Sequence, residues 1–279
     1  RTAFDREMTN TMGEYKFYVL GCRGSRPVSG IHCQQFGGAT SCYIIKADRH
    51  AIVLDCGTGL YDAGPFLEGC THIDILLTHL HYDHILGLLN WEIFPRDARV
   101  RVYAGVAHYS RDYNPADFLK VPFWPISPDI GETICVGSNS TVYLNERVSA
   151  RFAPANHPDG ATIVRVDTDN GSMCLVCDWE HGAPVPEEMV RGCSFILYDG
   201  MFTETEYPSR KGWGHSTWQE GVKLAEEMQI PRLVITHHLP ERTDEELLAM
   251  ENYARQAFPN IHFARAGDAY SMSREDETV

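Results

Sequence analysis

The sequence predicts an α/β protein in which two β-sheets carry helices on their outer faces. Three features point there. Short apolar or alternating runs recur through both halves, helix-patterned segments follow strands in each half, and no charge shift or Pro/Ser-rich linker divides the 279 residues. That length is within reach of one large α/β domain, and 43% hydrophobic residues can fill a substantial core. Residues 15–279 are therefore expected to form one domain behind a flexible polar segment, residues 1–14. Arg1 in place of a starting Met suggests trimming or a residue left from the cloned sequence, with Met8 or Met12 as candidate natural starts.

The opening reads as three strands, YKFYVLG (15–21), TSCYIIKA (40–47) and HAIVLDCG (50–57), with Gly, Asp and Arg at the turns. A short helical segment near 59–68 leads to IDILLTH (73–79), whose unbroken apolar run marks a buried strand. HILGLLNWEIF (84–94) looks like a helix start, and RVRVYAG (99–105) alternates as a strand does. Residues 107–128 are rich in aromatics and proline and read as a loop with a short helix. The second half repeats the theme with strands at 141–145, 148–155, 162–168, 172–179 and 194–200. After a loop at 201–214, TWQEGVKLAEEMQ (217–229) has the apolar spacing of a helix face, and RLVITH (232–237) is a short buried strand. Thr243 and Glu246 form the capping-box pattern of a further helix, and IHFARAGDAYSM (261–272) closes with a strand. The halves look related in plan, although no repeat is visible in the letters.

Composition excludes several classes. Lys+Arg number 24 against 38 Asp+Glu, a formal charge of −14, which disfavours a large nucleic-acid surface. A local metal site can still reverse the field for a small phosphorylated substrate. No apolar stretch approaches bilayer-spanning length, and no signal-peptide pattern opens the chain, so no membrane partner is expected. Nine scattered cysteines, an odd number, argue against a disulfide framework and for a reducing cytoplasm. Cys174 and Cys177 have metal-pair spacing but fall within a strand, which suits a packed, reduced pair. Cys22, His32 and Cys33 lack a clear fourth ligand for a structural zinc site.

The segment THLHYDH (78–84) crowds His79, His81, Asp83 and His84 behind an apolar strand. Imidazole nitrogen and carboxylate oxygen together suit Zn²⁺, and also Mn²⁺ or Fe²⁺. At a strand end that turns into a helix, such side chains can converge. Four ligands cannot complete two metal sites, so others must come from further along. His157, Asp178 and either His237 or His238 each follow an apolar run in the same way, which would gather them at one sheet edge.

In this arrangement the chain resembles the metallo-β-lactamase-fold hydrolases, over about Tyr15 to Met272. The resemblance implies a four-layer αββα sandwich of two mixed sheets, with a centre for two divalent metal ions. By that analogy His79, His81 and His157 hold one ion, Asp83, His84 and His237 hold the other, and Asp178 bridges them. Thr-His directly after a strand favours His237 over His238, which is left as a pocket or supporting residue. His215-Ser216-Thr217, opening a helix, resembles the His-Ser-Thr element of ribonuclease Z and related phosphodiesterases. GCRGSRP, FGGATSCYI and LDCGTGL resemble turns of the same branch, with Asp55 as a structural hydrogen-bonder. Ribonuclease Z carries a protruding arm for transfer RNA, placed in bacterial forms between the bridging aspartate and this element. Asp178 and His215 are too close in sequence for it, which turns the expectation towards a small phosphodiester substrate such as a cyclic nucleotide or cyclic sugar phosphate.

The expected catalytic residues are Asp83, orienting water or taking its proton, and His215, meeting a phosphate oxygen beside free helix N–H groups or protonating the leaving alkoxide. Tyr113, Phe118, Phe123, Trp124 and Trp213 either wall the pocket and stack on a base or fill core space. Asp199 either turns a loop near the site or is a plain turn residue, and His32, His50, His72, His108, His181 and His262 read as surface or satisfied interior residues. The competing readings are a hydrolase of a lactam, lactone or thioester, a di-iron oxidoreductase, and a metal- or nucleotide-binding protein without turnover. The His-Ser-Thr element speaks against the first, and His81, where di-iron relatives carry a carboxylate, against the second. A homodimer is one oligomeric option.

Overall fold

The structure, a computed structural model, describes residues 13–105, 115, 117–126 and 129–274. The first sheet takes β1 (Lys16–Gly21), β2 (Cys42–Ala47), β3 (His50–Leu54), β4 (His72–Leu77), β5 (Arg99–Ala104) and β6 (Glu132–Cys135). The second takes β7 (Ser140–Tyr143), β8 (Val148–Ala155), β9 (Ala161–Thr168), β10 (Gly171–Val176), β11 (Phe195–Asp199), β12 (Leu233–Thr236) and β13 (Ile261–Phe263). The last strand, β14 (Ala269–Ser271), returns to the first sheet. The orders are β14-β1-β2-β3-β4-β5-β6 and β13-β12-β11-β10-β9-β8-β7, seven strands each. From β14 in the first sheet and from β7 in the second, three antiparallel pairings are followed by three parallel ones. The halves therefore share one plan.

Period-two alternation explains the long apolar runs. Along β4, Leu76 enters the core between the sheets while Ile73, Ile75 and Leu77 enter the outer core of the first sheet. Along β11, Phe195 and Leu197 face the shared core, and Ile196 and Tyr198 face the outer core of the second sheet. Strands buried on both faces need apolar residues at nearly every position. The outer layers are helical. On the first sheet lie α1 (Gly64–Leu67), α2 (Tyr82–Ile85) and 3₁₀ turns at Thr58–Asp62 and Leu86–Ile93. On the second lie α3 (Glu187–Val190), α4 (Trp218–Glu227) and α5 (Asp244–Ala257). Trp218, Val222 and Ala225 form the buried stripe of α4, and Thr243 with Glu246 closes a full capping box on α5.

Two expectations are corrected. The helix expected over 84–94 is a single α-turn followed by 3₁₀ turns broken at Asn90 (φ −102°, ψ 38°). Its start is tied to the loop after β3, because Cys56 N–H donates to His84 O and Gly87 N–H donates to Cys56 O, each at 2.7 Å. A Cβ at Gly87 would lie 2.1 Å from Gly57 O, so only glycine permits this approach. The closing strand is two strands in different sheets, separated by a turn with Gly267 at φ +98° and the Asp268 carboxylate accepting from Arg265 N–H. The edge strand β6 and the four-residue α3 escaped the sequence reading, being short and weakly patterned.

All nine cysteines are free. Cys174 and Cys177 point into different cores as a buried reduced pair. Cys22 donates to the Phe36 and Ala264 carbonyls and Cys33 to that of Gly30, and the described residues gather no metal-ligand cluster there.

Candidate metal centre

The candidate side chains hang from the carboxyl ends of strands in both sheets. His79 and His81 follow β4, Asp83 and His84 begin α2, His157 follows β8, Asp178 follows β10 and His237 follows β12. Asp55, Asp178 and His237 take left-handed backbone angles, φ 57°, 51° and 60°, which turn the chain sharply off the strand ends. The structure brings all seven expected ligands together. Donor atoms of His79, His81, His157 and Asp178 lie within 4.8 Å of one another, and so do those of Asp83, His84 and His237. The Asp178 carboxylate lies between the groups. Its Oδ1 is 3.7 Å from His79 Nε2, 3.8 Å from His157 Nε2 and 3.5 Å from His237 Nε2, and its Oδ2 is 3.1 Å from His84 Nε2.

Supporting hydrogen bonds set which nitrogen faces the centre. His84 Nδ1–H donates to Asp55 at 2.7 Å, and Asp55 also accepts from Thr78 N–H and Oγ1–H. With its own proton given to Asp55, Thr78 Oγ1 accepts from His79 Nδ1–H at 3.0 Å. His157 Nδ1–H donates to Gly214 O at 3.0 Å. His237 Nδ1 meets Ser41 Oγ and Cys177 Sγ, each at 3.3 Å. With Nδ1 donating outward, His79, His84 and His157 turn Nε2 towards the centre. The Nε2 atoms of His79, His84 and His237 are buried with no hydrogen-bond partner. Buried imidazole nitrogens and carboxylates converging on one space without hydrogen-bond partners for His79 and His237 are costly unless cations occupy it, so the residues fit a pair of divalent ions.

The electrostatics agree. Burial holds the His79, His81 and His237 imidazoles below their usual pKa. Burial also acts to lower His84, but Asp178, Asp83 and Asp55 around it outweigh that and push it up. Three carboxylates there demand positive charge, which a metal ion supplies as well as a proton does. Burial would raise the Asp178 carboxyl, yet His237, His84 and His79 hold it well below the carboxylate range. Adding Zn²⁺ to stripped protein at a thousandfold excess over its Kd is expected to stabilise the fold by about 4 kcal/mol. At this chain length that corresponds to a rise of roughly 10 °C in melting temperature. A midpoint indifferent to Zn²⁺, Mn²⁺ and Fe²⁺ would rule out the metal reading.

A cavity of about 480 Å³ opens on the cluster, lined by His81, Asp83, His157, Asp178, His215 and His237 together with Ser25, Leu80, Tyr82, Pro158 and Trp213. His215, just before α4, is buried against the His237 ring, with centroids 5.0 Å apart. Its Nδ1 donates to Asp199 at 2.8 Å. Burial alone would lower its pKa, but the Asp199 charge and hydrogen bond prevail and raise it to about 9. Asp199 is thus the partner of His215, and it also accepts Met201 N–H and Ser216 N–H. Of the N–H groups beside His215, Ser216 N–H goes to Asp199 and Glu220 N–H to the Thr217 cap.

His238 does not support the centre. Its Nε2 donates to Ala264 O, its ring stacks on Phe263, and burial lowers its pKa to about 3. Phe118, Phe123 and Trp124 do not line the cavity: Phe118 and Trp124 pack on the outer core of the first sheet and Phe123 faces solvent, while Tyr113 lies outside the described residues. His50 bonds Tyr15, Asp74 and Asn145, His181 bonds Ser216, and His262 bonds Asn260. His32 and His72 are exposed, and His108 lies outside the described residues. Sequence reasoning missed Tyr82, inside the histidine motif, and Glu180, two residues after Asp178. Glu180 accepts from Gly212 N–H, Gly214 N–H and the Tyr207 hydroxyl.

Two seven-stranded sheets between helical layers, with seven His and Asp donors gathered at their rim, define a metal-dependent hydrolase of the αββα kind. The Beta-lactamase superfamily domain matches residues 50–238, and the chain belongs to that superfamily. Ribonuclease Z of Methanopyrus kandleri is 28% identical over 255 residues, which cover 80% of this chain and 88% of that protein. Among solved structures, the metallo-beta-lactamase fold protein YhfI from Bacillus subtilis superposes with a TM-score of 0.69 at 16% identity, over 92% of this chain and 99% of that one. A diphosphatase from the PhnP family gives 0.67 at 22% identity, over 93% and 97%.

Proposed function

We propose that the chain is a phosphodiesterase that cleaves a small phosphodiester, such as a cyclic nucleotide or cyclic sugar phosphate. The observation that carries this is the Asp199–His215 pair beside the His/Asp cluster, a held proton donor next to a centre suited to anionic oxygen. Relatives named ribonuclease Z and diphosphatase support phosphoester chemistry. With the donor set His79, His81, His157, Asp178, Asp83, His84 and His237, two bound ions, Zn²⁺ by preference and Mn²⁺ or Fe²⁺ otherwise, would lower the pKa of a water and offset phosphoryl charge. Burial would raise the Asp83 carboxyl, but His84 and His237 hold it well below the carboxylate range; fixed by Ser25 N–H at 2.7 Å, it stays ionised and orients the attacking water. His215 gives its proton to the departing alkoxide, and Asp199 stabilises the imidazolium beforehand.

A small substrate fits better than transfer RNA. The cavity has the volume of a small-molecule site. The stretch between Asp178 and His215 is filled by α3, β11 and a 3₁₀ turn at Tyr207–Ser209, without a protruding arm. The formal charge of −14 also opposes a polyanion. No helix among the described residues is long and apolar enough to cross a membrane, and nine free cysteines suit a reducing cytoplasm. The test is a panel on metal-loaded protein of cyclic nucleotides, cyclic sugar phosphates, aryl phosphodiesters, a lactam, a lactone and a thioester. Turnover confined to the phosphodiesters is expected; a preference for lactam, lactone or thioester overturns the proposal.

A further inference from the structure

Two aromatic side chains lining the cavity are conspicuously unburied. Tyr82 is 67% and Trp213 61% exposed, although large aromatics normally bury their faces. Neither sits on a loose segment. Tyr82 opens α2, inside the histidine motif, with Phe118 against its ring at 6.4 Å. Trp213 stands between Gly212 and Gly214, both at left-handed angles, φ 88° and 87°. The Glu180 carboxylate takes the N–H groups of both glycines at 2.7 and 3.0 Å, and Gly214 O accepts from His157. A Cβ at Gly214 would lie 2.2 Å from His157 Nδ1, so this loop can sit against the metal centre only with glycine there. The Phe202 ring, 6.5 Å away, and the Arg210 guanidinium, 6.0 Å from the centroid, flank the indole. An exposed indole held this firmly beside a reaction centre is a preorganised stacking surface.

We propose that Trp213, with Tyr82, forms an aromatic wall that selects phosphodiesters bearing a flat aromatic group, a nucleobase or aryl ring, over those bearing only sugar or alkyl groups. This rests on the phosphodiesterase reading and chooses between its two substrate classes in favour of the nucleotide. The anionic phosphoryl group goes to the His/Asp floor, and the flat group leaves water for the indole. Stacking of this kind gives roughly five- to a hundredfold in affinity per base.

The test has two arms. In the first, kcat/KM is measured for bis(p-nitrophenyl) phosphate and for methyl p-nitrophenyl phosphate, which share a leaving group and differ in the group that stays. The wild type is expected to favour the diaryl ester about tenfold, mostly through KM. Trp213→Ala should reduce that ratio to about two, and Trp213→Phe should restore most of it. In the second arm, adenosine monophosphate and ribose phosphate are titrated by calorimetry, which needs no turnover. The nucleotide should bind about tenfold more tightly, and Trp213→Ala should remove the difference. An aryl preference unchanged in Trp213→Ala, or equal binding of the two phosphates, overturns the wall and leaves the phosphodiesterase reading intact. Hydrolysis of neither ester, with the nucleotide preference still present and Trp213-dependent, overturns the phosphodiesterase reading instead.

Discussion

Asp178→Ala is expected to bind no more than one divalent ion per chain in place of two and to lose at least about a thousandfold in phosphodiester turnover. The reason is position. Its carboxylate is the group within 3.8 Å of inward nitrogens from both donor sets, His79 and His157 on one side and His84 and His237 on the other. Two dications held by adjacent donor sets would repel each other strongly, and a carboxylate between the sets would offset that repulsion. The remaining carboxylate of the two donor sets, Asp83, belongs to one of them. Without negative charge in the middle, the second ion has no counterweight. Asp178→Asn, which keeps the shape and removes the charge, separates electrostatics from packing and should fail almost as badly. Metal analysis of the purified variants checks this, and two ions with undiminished rate in Asp178→Ala would refute the assignment.

His215→Ala is expected to slow cleavage of phosphodiesters with alkoxide leaving groups by about 10²- to 10⁴-fold, the usual scale of general acid catalysis. Esters that expel p-nitrophenolate should be affected far less, because that anion departs without a proton. The asymmetry distinguishes a proton donor from a residue that merely shapes the pocket. Asp199→Asn should fall between wild type and His215→Ala on alkyl esters, since it leaves the imidazole in place but removes the charge that keeps it protonated. Equal losses on both ester types would show that His215 is not the acid.

Much of the site was legible because its signal is local. His79, His81, Asp83 and His84 fall within six positions at a strand end, and spacing alone marks them. His157, Asp178 and His237 carried only the weaker cue of following apolar runs, and resemblance supplied their order. Their partners were not legible. Ser41 and His237 stand 196 positions apart, and which side chain meets an imidazole's far nitrogen depends on how two sheets face each other. Asp199 looked like a turn residue because composition does not reveal that His215 lies over it. For the aromatic-rich segment, left between pocket wall and core, abundance does not specify direction: Phe118 packs on the core while Tyr82, a single residue in the motif, faces the cavity. In the fold, strands buried on both faces announced themselves, whereas the division of the last segment between two sheets depended on a single turn at Gly267.

Asp55, Asp178 and His237 all bend through left-handed backbone angles, which Asp and His visit more readily than most side chains but still at a cost relative to Gly. The chain therefore forgoes robustness at its working edge, and selection for heat tolerance alone would pull against it. In a library screened for survival at high temperature without metal or substrate, Gly and Asn should accumulate at positions 55, 178 and 237, giving sturdier but inert proteins; survivors that keep all three original residues would show that these bends carry no such burden.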